Sequence, residues 1–277
     1  MNRRPAGEER GSSVRPVTER PRRATLRTQD AIAIEAAYEP GTGPSGDLAI
    51  VLAHGFTGDL ERPHVRRAAG VFAQRAAVVT FSFRGHGRSG GRSTVGDREV
   101  LDLAAAVEWA RSLGHTRVVT VGFSMGGSVV LRHAALHRGR TEARTDGVVA
   151  VSAPARWYYR GTAPMRRLHW VVTRPAGRMV GRLGLRTRIH PYDWDPVPLS
   201  PVESVPLIAP TPLLVVHGDS DPYFPVDHPR MLAAAAEGGA ELWLEPGMGH
   251  AEHAASDELL GRIGDWAARA AVTGAAE

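Results

Sequence analysis

The chain has no cysteine and no lysine. Without cysteine there are no disulfides, thiolate metal sites or thiol nucleophile. Without lysine there is no Schiff base and no lysine general base, because all 34 basic residues are arginine. No apolar run approaches the length needed to cross a bilayer. The charged N-terminus is not followed by an apolar leader segment, so a cytoplasmic location is the expectation.

What remains is 277 residues, 43% of them hydrophobic, enough for one large core. A single domain with an insertion fits that length better than two independent domains. The formal charge of +5 is unevenly placed: residues 1–27 carry eight Arg against three Glu, and the rest of the chain balances. Residues 1–23 are rich in Arg, Pro, Glu and Ser with few aliphatic side chains, which predicts a disordered basic arm. Such an arm is expected to be solvated, with no nucleic-acid partner. Weak contact with a lipid surface, through the arm or the inserted segment, is the alternative role.

From Thr25 to Tyr38 an alternating pattern predicts an antiparallel strand pair. Apolar runs at 48–53, 77–83, 117–121, 147–151, 212–216 and 240–244 then read as buried strands. Helical patterns fall near 62–75, 98–112, 126–137, 227–237 and 256–272. Strands alternating with helices predict an α/β fold whose mostly parallel sheet is covered on both faces. The expected core is 24–151 with 207–277.

The alternation fails over 152–206, a 55-residue stretch holding nine Arg, three acids and six of the aromatics. That length without strands of its own predicts an inserted lid. Met165, Leu168, Val171 and Val172, then Met179, Val180 and Leu183 beyond Pro175, predict two short amphipathic helices. These helices either dock the segment on the core or line an acyl or aryl pocket, and Trp157, Tyr158, Tyr159 and Trp170 are the candidate substrate-binding residues. Arg156, Arg160 and Arg166 beside them are either solvated or steer an anionic acyl group.

Ser124 sits in Gly122-Phe123-Ser124-Met125-Gly126, between a β-branched run and a helical pattern. Strand, tight turn and helix make a nucleophile elbow, where a strained serine needs neighbours without bulk. A serine nucleophile also needs a base, an acid to orient that base, and oxyanion donors. The run 213–216 ends in His217-Gly218-Asp219-Ser220-Asp221, and 241–244 leads to Gly247-Met248-Gly249-His250. Serine, acid and histidine thus follow in chain order, each after its own strand. Asp221 is preferred to Asp219, which is better placed to cap the turn. His250 is preferred to His253, which lies nearer the next helix. The oxyanion donors are expected to be the backbone N–H of Met125 and, from the loop His54-Gly55-Phe56-Thr57-Gly58, that of Phe56. His54 and His217 read as structural. The glycine-rich run 84–91 lacks the spacing and lysine of a phosphate loop.

Together the motifs at 54–58, 84–89, 122–126, 217–221 and 249–250 resemble the α/β-hydrolase superfamily over roughly residues 28–272. The loop at 54–58 and the mid-sized lid look like its feruloyl/cinnamoyl esterase-like and monoacylglycerol lipase-like branches. The resemblance implies an eight-stranded, mostly parallel sheet, no cofactor and no metal, and acyl-enzyme hydrolysis of a small-molecule carboxylic ester by Ser124, Asp221 and His250. Thioester, lactone and amide cleavage use the same kind of site. A non-catalytic binding protein on the same fold is the rival from another class.

Overall fold

The computed structural model describes residues 21–43 and 45–273. Eight strands form one sheet in the order β1-β2-β4-β3-β5-β6-β7-β8. They are β1 Arg22–Arg27, β2 Ala33–Glu39, β3 Ser45–Ala53, β4 Ala76–Phe81, β5 Arg117–Phe123, β6 Gly147–Val151, β7 Leu213–Gly218 and β8 Ala240–Glu245. β2 runs antiparallel to β1 and to β4, and every later pairing is parallel.

Residues 1–20 of the expected arm lie outside the described residues. Its boundary at 23 falls too late, because Arg22 and Arg23 already sit in β1, opposite Tyr38 and Ala37. An edge strand with mostly exposed side chains tolerates this arginine-rich sequence, and charge there discourages further strand pairing.

The inner strands are apolar on both faces. In β3, Ala49, Val51 and Ala53 enter one core cluster while Leu48, Ile50 and Leu52 enter the other. The first cluster is closed by α2 (Glu99–Ser112), α3 (Met125–His137) and α7 (Asp227–Ala235), the second by α1 (Pro63–Phe72) and α9 (Asp257–Thr273). Phe72 from α1 and Phe123 from β5 are fully buried in the second cluster, each stabilising the fold by roughly 2 kcal/mol.

Between β6 and β7 lie α4 (Ala163–Thr173), α5 (Pro175–Leu183) and the short α6 (Pro201–Ser204). α4 begins where the Thr162 side chain accepts the Met165 N–H. It stops at Arg174, which is extended (φ −99°, ψ 140°) because Pro175 excludes the helical conformation from the residue before it. One turn, α8 (Ala251–Ala254), precedes α9. Among the described residues, no helix is long and apolar enough to cross a membrane.

Candidate active site

The loops after β3, β5, β7 and β8 open at one edge of the sheet, because parallel strands share their carboxyl ends. Ser124 follows β5 with φ 52° and ψ −114°, a conformation an L-residue holds only under constraint. The constraint comes from both flanks. A Cβ on Gly122 would lie 2.2 Å from the Gly126 carbonyl oxygen, and one on Gly126 would lie 2.2 Å from that of Ala53. Only glycine permits this approach, and the Ser124 N–H is tied to Val151 O of β6 at 2.8 Å.

His250 brings its Nε2 to 2.9 Å from Ser124 Oγ and its Nδ1 to 2.7 Å from Asp221 Oδ2. An ionised carboxylate only accepts, so Nδ1 carries the proton and Nε2 is left to accept from the serine hydroxyl. Asp221 Oδ1 accepts the N–H groups of Tyr223 and Phe224 at 2.8 and 3.1 Å. Burial pushes the Asp221 pKa up. The bond and charge of His250 and the two amides outweigh it and hold the carboxyl below its ordinary value. Tyr223 lies against the His250 ring, centroids 4.3 Å apart, and Ser152 Oγ accepts the Ala251 N–H at 3.0 Å, so the histidine loop is held from two sides.

The rival residues sit elsewhere. Asp219 braces its turn, accepting the Gly247 N–H at 2.7 Å, and His253 packs against His64 with the rings tilted by 41°. His54 is fully buried, takes the Phe83 N–H on Nε2 at 3.0 Å and faces Gly55 O through Nδ1 at 2.7 Å. Burial drives its pKa far down, so it is a neutral strut. His217 Nε2 donates to Phe224 O at 2.8 Å and likewise braces a loop.

Met125 is the first residue of α3, so its N–H has no acceptor within the helix and points out of a positive helix end. Phe56, in the loop after β3, and Met125 both line a cavity of about 150 Å³ that also touches Ser124. Trp157, Tyr158 and Tyr159 line it too. Trp170 does not: it is 47% exposed, two residues beyond Leu168, and a helix turns roughly 200° over that step. Leu168 and Val172 face the cavity instead. Of the three arginines, Arg156 alone borders the cavity and pairs with Asp227 at 2.9 Å. Arg166 donates to the carbonyls of Arg160 and Gly161.

Sequence reasoning missed Val95, Ile189, Trp194 and Phe224 in this wall. Ser93 pairs with Ile189 in an isolated bridge and Trp194 Nε1 donates to Thr94 O at 2.7 Å, contacts that span about a hundred residues. Only the position of Phe224, three residues past Asp221, gave any local signal.

Residues 49–173 match the family model of the alpha/beta hydrolase fold. A monoacylglycerol lipase of Mycolicibacterium smegmatis is 28% identical over 254 residues, covering 77% of this chain and 84% of the lipase. An esterase of Pyrococcus furiosus superposes with a TM-score of 0.69 at 22% identity, covering 90% of this chain and 92% of that one. Est1E of Butyrivibrio proteoclasticus, solved with ferulic acid bound, gives a TM-score of 0.58 at 19% identity over 92% of this chain and all of its own. The chain has the α/β-hydrolase fold and is similar to esterases and lipases that share it.

Proposed function

We propose that the protein is a serine hydrolase that cleaves small to medium carboxylic esters through an acyl-enzyme on Ser124. The observation that carries this reading is the continuous path Asp221–His250–Ser124, at 2.7 and 2.9 Å, opening on an apolar cavity. His250 Nε2 takes the Ser124 proton as Oγ attacks the ester carbonyl. The N–H groups of Phe56 and Met125 bind the developing oxyanion. The imidazolium returns its proton to the leaving alcohol; the neutral imidazole then takes a proton from water as the water attacks the acyl carbon, and gives it to Ser124 Oγ as the acid leaves. Asp221 stays ionised throughout and holds the ring in its tautomer.

The cavity wall gives the acyl group its character. Val95, Met125, Leu168, Val172 and Ile189 with the ring of Trp157 suit an aliphatic chain or a single aromatic ring. Residues 152–206 supply much of that wall and act as the lid. Ser124→Ala should keep the melting temperature and lower turnover of a p-nitrophenyl ester by at least about 10³-fold. Unchanged turnover would sink the assignment. Labelling of the native protein, and not of that variant, by a fluorophosphonate separates the enzyme from a non-catalytic receptor.

A further inference from the structure

Beside the oxyanion loop lies a second cluster with no part in this chemistry. His64 is in the first turn of α1, Glu252 and His253 are in α8, and one donor atom from each lies within 4.8 Å of the other two. The two rings pack together, centroids 3.7 Å apart. Glu252 is 3% exposed, yet its carboxylate is thinly compensated: Oε1 accepts the Gly55 N–H at 3.3 Å and lies 3.7 Å from His64 Nε2. The neighbouring arginines are engaged elsewhere. Arg67 binds Asp257 and the carbonyls of Glu252 and Ala255, and Arg62 binds Asp59 and Thr57 O. A buried carboxylate facing two imidazoles is a costly arrangement unless a cation completes it.

We propose that His64, Glu252 and His253 bind one divalent transition-metal ion of the Zn²⁺ class. Two imidazole nitrogens and a carboxylate oxygen, with a fourth position open to water, form a known type of zinc ligand set. Mg²⁺ and Ca²⁺ favour all-oxygen sites and are disfavoured here. Ligands about 2.1 Å from a tetrahedral ion stand about 3.4 Å apart, so the cluster must contract a little. The exposed His253 ring has the freedom to swing inward. Glu252 anchors Gly55, the residue before Phe56, and α8 starts directly after His250. An ion here would tie the oxyanion loop and α1 to the histidine loop. The site stands whether or not Ser124 is the nucleophile.

The test uses the full chain without an affinity tag, stripped with EDTA, dialysed, and titrated with ZnCl₂ by calorimetry. A His64→Ala/His253→Ala double variant is titrated in parallel. The expected result is one saturable site in the native protein, weakened at least about 10-fold in the double variant, with Zn²⁺ raising the melting temperature only of the native chain. If the double variant folds poorly, His253→Ala alone, at an exposed position, should still weaken binding. Equal affinity in native and variant proteins, or no saturable binding by the native chain, would overturn the proposal.

Discussion

The floor and the cover of the cavity are built on different principles. On the floor, Ser124, Asp221 and His250 hang from three parallel strands, and hydrogen bonds from neighbouring segments fix each of them. Val151 O holds the elbow, two amides hold Asp221, and Ser152 holds the turn after His250. In the cover, 152–206, the two longer helices bury little of themselves: Met165 in α4, and only Gly177 and Gly181 in α5. It is attached by scattered bonds such as Thr162 Oγ1 to Tyr223 O at 2.9 Å and Trp194 Nε1 to Thr94 O. On the proposed function, a strained nucleophile and a fixed tautomer demand an over-determined floor, whereas a wall that selects acyl groups needs only shape.

The largest effect should come from the floor. Asp221→Asn keeps the volume of the side chain but presents an N–H that can donate to His250 Nδ1. The ring would then carry its proton on Nε2 and no longer accept the Ser124 proton. Turnover of a p-nitrophenyl ester should fall about 10³- to 10⁴-fold with little change in KM. A loss below about 10-fold would mean that the ring is oriented mainly by Tyr223 and the loop, and the contrast with the cover would weaken.

The cover should instead respond in selectivity. Leu168→Trp projects extra volume into the cavity from α4, away from the reacting atoms. A single methylene in an apolar pocket changes discrimination by about 10-fold or more. The ratio of kcat/KM for octanoate over acetate p-nitrophenyl esters should therefore drop by at least about 10-fold, with acetate turnover nearly kept. Equal losses on both esters would show that α4 helps to position the floor.

The same division governs what the sequence made legible. The elbow could be read because Gly122 and Gly126 answer a local steric need, and Asp221 and His250 because each closes a β-branched or apolar run with a short loop. The two helices of the insertion could be read from spacing and from the stop at Pro175. The direction of Trp170 could not, since amphipathic spacing names a face but not which neighbour covers it. The cavity wall was hidden for a similar reason: Ser93 meets Ile189, and Thr94 meets Trp194, through contacts that no local period encodes.

The smallest effect should lie on the outer face of the cover. Leu183 is 75% exposed and Met179 62%, both on α5, whose buried side is made by two glycines. A residue already in water loses almost no apolar burial on substitution, so Leu183→Ser should change stability by no more than about 0.5 kcal/mol. For a chain of this size that is about 1–2 °C in melting temperature, and kcat/KM for a soluble short ester should stay as it was. A drop of several degrees would mean that this face is packed in solution against something the isolated chain does not supply. The cover would then be an interface as well as a wall, and its sparse internal burial would reflect a surface meant to be covered.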